Sequence, residues 1–296
     1  METERRPNDA ARTHEPQNAI IAFADVTYSV HGTPPQAGNA TGPAASTKAG
    51  ERTLLSHISS SVGECETVVL LGRSGSGKTT LLRLVNRMLT PTSGKVLVAG
   101  KSTTDWDPFA LRRSIGYVIQ DAGLFPHFTV AENIALVPQL DKWDGARIAQ
   151  RVTEMLHLVG LDQSDIATRY PRQLSGGQRQ RVGVARALAA DPQILLMDEP
   201  FGALDPVTRA QLQHEFAALA KRLGKTIVFV THDLREGLLL GARIVLLKDG
   251  QIVAVDSPEN FLKLPHPEVR AFVESLGQYP GSGSGAQAGE SAGQRA

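Results

Sequence analysis

A glycine-rich segment followed by a lysine and a threonine carries the clearest chemical signature in the sequence. Residues 72–79 read GRSGSGKT and fit the pattern G-x-x-x-x-G-K-[ST]. Glycines let successive backbone N–H groups point at phosphate oxygens, Lys78 can reach the β- and γ-phosphates, and the Thr79 hydroxyl can bind Mg²⁺. The segment predicts a nucleoside triphosphate site, with a plain glycine-rich turn as the alternative. The predicted contacts are Gly72, Arg73, Ser74, Gly75, Ser76, Gly77, Lys78, Thr79 and Thr80.

Two carboxylates follow an apolar segment further along the chain. Residues 194–199 read ILLMDE. Side chains alternate along a strand, so Asp198 and Glu199 point in different directions and can have separate roles. Asp198 suits the shell of Mg²⁺, and Glu199 suits a general base that polarises the attacking water. In isolation the pair could be two surface acids at a strand end, but the phosphate-binding pattern upstream favours a hydrolytic site.

A second phosphate-binding pattern lies between these two. Residues 174–178 read LSGGQ and precede a helical pattern. Ser175 is a natural N-cap, and two glycines expose backbone N–H groups at the positive end of a helix. The segment could be no more than a cap and a turn. The nucleotide contacts predicted here are Ser175, Gly176, Gly177 and Gln178.

Buried strands alternating with helices must position these residues. Short apolar runs predict strands, and one of them, residues 67–71, ends directly at the glycine-rich segment. Asp205-Pro206 opens a helix that ends before Gly224, in line with the preference for Pro at helix starts and Gly at helix ends. This alternation predicts a mainly parallel α/β sheet. The other predicted strands are residues 115–119, 194–197, 226–230 and 244–247, and a helix is predicted over residues 79–89.

Composition limits the class of protein. The chain has 296 residues, with 31 basic against 30 acidic side chains, so its charge gives no reason to expect a nucleic acid partner. The single cysteine, Cys65, excludes an internal disulfide framework and fits a reducing compartment. We expect no secretory signal, because the first residues lack an apolar stretch. The sequence also has no apolar run of about 18 residues, so we expect no membrane span.

Three segments are poor in apolar residues and predict disorder. They are an N-terminal tail over residues 1–18, a flexible insertion over 31–50 and a Gly/Ser-rich tail over 278–296. Between the tails, residues 19–277 form the predicted catalytic domain. Within that domain, residues 121–178 read as helix and loop with little strand signal, and they predict an inserted helical subdomain.

From about residue 20 to residue 277 the sequence resembles the ATP-binding cassette (ABC) family. The resemblance rests on the two glycine-rich patterns, the acidic strand end, Gln120 after a strand, the triplet ending in Asp205, and His232 directly after a strand. It implies a P-loop NTPase (RecA-like) core with an antiparallel β subdomain and an inserted α-helical subdomain. Two cassettes, as a homodimer or heterodimer, would pair head to tail so that the second pattern of one chain covers ATP held by the other.

The same resemblance assigns roles to single residues. Gln120 would sense Mg²⁺ and the attacking water, His232 would contact the γ-phosphate, and Asp205 would lie against the nucleotide site. Catalysis is thereby assigned to Glu199, His232, Gln120 and Lys78, and metal binding to Thr79, Gln120 and Asp198.

Two positions depart from the family pattern. The family places an aromatic residue that stacks on adenine near position 30, where this sequence has Val30. Either Tyr28 takes that role, or the insertion that follows has shifted the register. Cys65 stands where a glycine commonly precedes Glu66.

Residues 116–134, GYVIQDAGLFPHFTVAENI, are similar to the cassettes of bacterial importers for glycine betaine, choline or carnitine. Such a subunit would lie at the cytoplasmic face of the membrane, bound to permease subunits and only indirectly to a solute-binding protein. Phe125 and Pro126 would receive the permease. Alternatively, Leu124, Phe125 and Phe128 merely pack the helical insertion.

Two other functions stay open. One is an importer ATPase for another small solute, such as an amino acid or a sulphonate, because the cassette itself never touches the solute. The other is an ABC ATPase without a transport role, acting in translation, DNA repair or cluster assembly. Neighbouring genes would identify the first, and co-purification with ribosomes or DNA would indicate the second.

Overall fold

The computed structural model describes residues 19–31, 51–161 and 165–277. The two predicted tails, and the predicted insertion except for the last residue of β1, lie outside this part of the chain. The strands are β1 Ala19–His31, β2 Glu51–Gly63, β3 Thr67–Leu71, β4 Ser93–Val98, β5 Lys101–Ser102, β6 Ile115–Val118, β7 Ile194–Asp198, β8 Thr226–Thr231, β9 Arg243–Lys248 and β10 Gln251–Asp256. The helices are α1 Lys78–Val85, α2 Pro108–Ser114, α3 Val130–Leu140, α4 Gly145–Leu158, α5 Gly176–Leu188, α6 Pro206–Leu223, α7 Leu234–Leu240, α8 Pro258–Phe261 and α9 Pro267–Gly277.

A six-stranded sheet positions the acidic strand end beside the glycine-rich segment. Its order is β10-β9-β3-β8-β7-β6, and every pair except β10 with β9 is parallel. Leu71 pairs with Thr231, and Asp198 pairs with Val230. Because parallel strands end at one edge, the segments after β3, β7 and β8 meet there. The mainly parallel α/β sheet predicted from the sequence is confirmed.

The second sheet is antiparallel and has the order β2-β1-β4-β5. Its inward residues, among them Ile21, Val26 and Leu55, are buried against α1 and the underside of the six-stranded sheet. The helix that follows the glycine-rich segment is therefore held between two sheets. This packing fixes its N-terminus, which is the part of a helix that attracts anions.

Between β6 and α5 the described residues form two α-helices, α3 and α4, two short 3₁₀ turns and no strand. Thr129 begins α3 with a capping box, in which its hydroxyl accepts from Glu132 N–H and the Glu132 carboxylate accepts from Thr129 N–H. Both helices pack on α5, and the three enclose an apolar core with Ile134, Met155 and Val182. The boundaries predicted for a helical subdomain contain these helices.

The predicted bounds fit α6 better than α1. Helix α6 begins after Asp205, whose side chain accepts from Thr208 N–H, and ends at Gly224, where φ is 58°. Helix α1 stops at Val85, four residues before the predicted end. Asn86 ends it, because its side-chain oxygen accepts from Met88 N–H and the chain then turns at Arg87 with a φ of 53°.

Cys65 adopts a φ of 56° in the turn before β3. This left-handed region favours glycine, which gives a physical reason for the glycine expected at this position. The backbone N–H of Cys65 donates to Thr226 Oγ1 over 3.0 Å, and the bond ties the turn to β8.

Throughout the described ranges, no helix combines the length and the apolar character needed to cross a bilayer.

Candidate active site

The glycine-rich segment connects β3 to α1 in a tight turn. A Cβ added to Gly72 would lie 2.4 Å from the backbone oxygen of Leu247, and one added to Gly77, where φ is 103°, would lie 2.6 Å from Leu55 Cδ2. Larger residues therefore do not fit at these two positions. Ser76 is buried, and its hydroxyl has no hydrogen-bond partner. This hydroxyl could donate a hydrogen bond to a phosphate oxygen bound inside the turn. Arg73, Ser74 and Gly75 form the exposed part of the turn, whereas Thr80 lies half-buried in α1.

Lys78, the first residue of α1, points back into the turn and is only 4% exposed. Its Nζ donates to the backbone oxygens of Gly72 and Arg73, over 2.7 and 2.9 Å. It also lies 3.9 Å from Glu199 Oε1. Burial lowers the pKa of Lys78, while the Glu199 and Asp198 carboxylates act in the opposite direction. The ammonium therefore lies at the centre of the phosphate-binding turn.

Asp198 and Thr79 meet across the end of the sheet. Thr79 Oγ1 donates to Asp198 Oδ1 over 2.9 Å. Burial raises the pKa of Asp198, and the Thr79 hydrogen bond opposes this shift. A hydroxyl and a carboxylate are the hard oxygen donors that Mg²⁺ uses beside phosphates, so this pair fits the predicted metal.

Tyr117 also reaches Asp198, and no role was predicted for it. Its hydroxyl lies 3.5 Å from Asp198 Oδ2, and burial raises its pKa. The two residues are 81 positions apart in the sequence. The pairing of β6 with β7 brings them together, so the contact could not be predicted from the sequence.

Glu199 follows Asp198 and faces His232. Glu199 adopts a φ of 44°, and its N–H donates to Val230 O over 3.1 Å. This turn directs the carboxylate away from Asp198 and toward His232 Nδ1, which lies 3.0 Å from Glu199 Oε2. The four predicted residues Lys78, Asp198, Glu199 and His232 thus form one cluster.

Gln120 follows β6 and is exposed next to this cluster. A Cβ added to Gly202 would lie 3.6 Å from Gln120 Nε2, so the amide stands beside the turn that follows Glu199.

The second glycine-rich pattern lies at the N-terminus of α5. Ser175 Oγ accepts from Gln178 N–H, and Gln178 Oε1 accepts from Ser175 N–H, which completes a capping box. A Cβ on Gly177 would come within 2.9 Å of Thr208 Cγ2, so this turn packs beside the helix start capped by Asp205. Within the described ranges, no hydrogen bond or ion pair joins residues 175–178 to residues 72–79. One chain thus carries two separate phosphate-binding patterns.

The sequence pattern of the family described as ABC transporter matches residues 55–202, which is half of the chain. The chain belongs to the ABC transporter family. The match includes the phosphate-binding turn, Gln120, residues 174–178 and both carboxylates of the β7 end.

Two cassette subunits of known transport systems are similar to this chain. The choline transport ATP-binding protein OpuBA of Bacillus subtilis is 49% identical over 227 residues, which cover 77% of this chain and 58% of that protein. The glycine betaine uptake system ATP-binding protein YehX of Escherichia coli is 54% identical over 205 residues, covering 69% of this chain and 66% of that protein. This ABC chain therefore spans less than two thirds of the length of these relatives.

A solved cassette has the same fold. The ATP-binding cassette MJ0796, crystallised as a dimer with ADP and phosphate, is 33% identical, with a TM-score of 0.67 over 80% of this chain and 98% of that one. The predicted ABC ATPase fold is confirmed, including its P-loop core and antiparallel β subdomain.

Tyr28 was the candidate for stacking on adenine. Its half-buried ring packs on the apolar core between the two sheets.

Proposed function

We propose that this cassette binds ATP with Mg²⁺ and hydrolyses it to drive an importer. The observation that carries the proposal is the cluster at the ends of β3, β7 and β8. It brings an ammonium, a hydroxyl–carboxylate pair and a carboxylate–imidazole pair around one phosphate-binding turn. These are the groups that phosphoryl transfer to water requires for binding, metal coordination and activation of the nucleophile.

Each side chain has a separate task in this mechanism. The turn and Lys78 would bind the β- and γ-phosphates. Thr79 and Asp198 would hold Mg²⁺, which would neutralise charge on the phosphate oxygens. The Glu199 carboxylate accepts the proton of the attacking water. His232 orients that carboxylate and would contact the γ-phosphate. Gln120 would contact Mg²⁺ and the attacking water.

Two chains are needed to close each site. The capping box of α5 uses the N–H groups of Ser175 and Gln178 and leaves those of Gly176 and Gly177 for a ligand. These residues belong to a different part of the chain from the phosphate-binding turn. We infer a head-to-tail dimer in which this helix start, flanked by Asp205, covers ATP bound by the partner. A homodimer is the simplest assembly, and a heterodimer of two cassettes has the same geometry.

The loop after Gln120 is the surface proposed to bind the permease. Phe125 and Phe128 are 48% and 36% exposed, with ring centroids 5.3 Å apart, whereas Leu124 packs on the core. Buried Asn133 fixes the loop, because its amide donates to the backbone oxygens of Phe125, Phe128 and Thr129 over 2.9–3.2 Å. Two adjacent aromatic rings on a rigid loop suit an apolar partner helix.

The solute is inferred to be a quaternary-amine osmoprotectant such as glycine betaine or choline. Support comes from the transport of choline by the OpuBA system and of glycine betaine by the YehX system, and from residues 116–134. The subunit would lie at the cytoplasmic face of the membrane, bound to permease subunits. A solute-binding protein would act on it only through the permease.

Uptake into vesicles tests the proposal. The cassette is reconstituted with its permease and binding protein, and uptake of labelled glycine betaine and choline is measured with ATP enclosed. We expect uptake with the wild-type subunit and no uptake with the Glu199→Gln variant. Wild-type ATP hydrolysis without uptake of either solute would instead indicate another substrate, and absence of hydrolysis would overturn the proposed activity.

A further inference from the structure

We propose that Glu236 is a positioning residue, which acts with Gln213 to hold His232 against Glu199. The inference rests on the proposed ATP hydrolysis. Neither residue belongs to a sequence motif of the site, and neither touches the phosphate-binding turn. Both lie on helices that leave the catalytic edge of the sheet, Gln213 on α6 and Glu236 on α7.

Glu236 is a buried carboxylate with defined partners. It is 6% exposed, and its Oε1 accepts from Gln213 Nε2 over 2.7 Å. It lies in the first turn of α7, four residues after His232. Burying an acidic group costs free energy that an apolar side chain of similar size would not require. The position is therefore better explained by the geometry that the bond to Gln213 imposes than by stability alone.

Helix α7 connects Glu236 with the turn that carries His232, because Asp233 caps this helix directly after His232. Thr231 is 2% exposed, and its Oγ1 accepts from Asp233 N–H over 2.9 Å. The residues on both sides of His232 are thus bonded to each other at the start of the helix that carries Glu236. Among the described residues the His232 ring bonds to Glu199, so the position of this helix start determines where the ring stands.

Helix α6 also contacts the turn that follows Glu199, through a residue one helical turn before Gln213. Arg209 lies four residues before Gln213 and donates to the backbone oxygens of Phe201, Gly202 and Leu204, over 3.0–3.1 Å. These three residues form the turn directly after Glu199. A single helix therefore contacts the Glu199 turn through Arg209 and the His232 turn through Gln213 and Glu236. Residues i and i+4 lie on one helix face, which makes this double contact possible.

An exchange of the two side chains gives the sharpest test. Gln213→Glu places a second carboxylate 2.7 Å from the first, and Glu236→Gln removes the charge but keeps one acceptor. In the double variant Gln213→Glu/Glu236→Gln the amide stands on α7 and donates to a carboxylate on α6. Gln213→Ala removes the donor. Gln211→Ala is the matched control, because Gln211 is exposed and its amide donates to Glu215 on the same helix.

Steady-state ATP hydrolysis by the full chain gives kcat per folded molecule and KM for ATP. Thermal unfolding of each variant gives its Tm. Gln213→Ala and Gln213→Glu should lower kcat about tenfold while KM changes less than about twofold, since one hydrogen bond to a charged group is lost. The double variant should recover kcat to within about threefold of wild type, and Gln211→Ala should leave it unchanged.

Two results would overturn the inference: single variants with lowered Tm but unchanged kcat, or a folded double variant whose kcat stays as low as that of Gln213→Glu. If a single variant fails to fold, recovery in the double variant still decides between these outcomes. A wild-type chain that hydrolyses no ATP under any condition would refute the proposed function itself, which is a separate result.

Discussion

His232 Nδ1 lies 3.0 Å from Glu199 Oε2, although the two residues are 33 positions apart. The parallel pairing of β7 with β8 brings them together, because both follow the carboxyl ends of these strands. The other oxygen of Glu199 faces Lys78 Nζ at 3.9 Å. The carboxylate is thus oriented from two sides by His232 and Lys78, which is the pre-organisation that a general base needs.

Glu199→Gln should abolish turnover and retain ATP binding. The amide has nearly the same shape as the carboxylate but cannot accept the proton of water, so phosphate release should fall by about 10²-fold or more. Phosphate release reports the rate, and gel filtration with ATP reports the trapped dimer. Glu154→Gln makes the same chemical change on the surface of α4 and should hydrolyse normally. A Glu199→Gln rate equal to wild type would mean that another residue is the base.

Lys78→Ala should weaken nucleotide binding itself. The buried ammonium donates into the turn, and the loss of a charged hydrogen bond should lower ATP affinity about 10- to 100-fold. Titration with a fluorescent ATP analogue measures the change. Lys95→Ala removes an exposed ammonium on β4 and serves as the control. Equal affinity of Lys78→Ala and wild type would exclude the phosphate role of Lys78.

Features with local signals could be predicted from the sequence. The strand before residue 72, the acidic end of β7 and both ends of α6 are each specified by neighbouring residues. For α6 these are Asp205-Pro206 at the start and Gly224 at the end. The end of α1 was predicted too late, because its apolar spacing continues to Leu89 although the left-handed Arg87 already breaks the helix.

The supporting contacts of the site have no such local signal. Tyr117 reaches Asp198 only through the pairing of two strands, and Glu236 reaches Gln213 only because α6 and α7 pack together. Nothing in the types or spacing of these residues distinguishes them from other aromatic or charged side chains. The sequence therefore predicts the groups proposed to contact ATP better than the groups that hold them in place.

Ser175→Ala should combine a loss of stability with a loss of activity. It removes the capping box of α5 and should destabilise the chain by about 1 kcal/mol. Thr129→Ala removes the equivalent box of α3 and should cost a similar free energy of unfolding. Only Ser175→Ala should slow ATP hydrolysis, because only its helix start is proposed to cover nucleotide in the dimer. Similar turnover in both variants, measured at matched folded concentration, would contradict this role.

Alanine substitutions at Gly94 and Gly100 should separate the free-energy cost of backbone strain from the cost of a steric clash. Both adopt a left-handed φ, 77° and 73°, but a Cβ on Gly94 would lie 2.2 Å from Asp25 O, whereas a Cβ on Gly100 meets nothing within 4 Å. Gly100→Ala should cost about 1 kcal/mol from the backbone alone. Gly94→Ala should cost about 3 kcal/mol, because β1 must also move away from β4. Denaturant titration measures both, and equal losses would mean that β1 yields to the added methyl group without resistance.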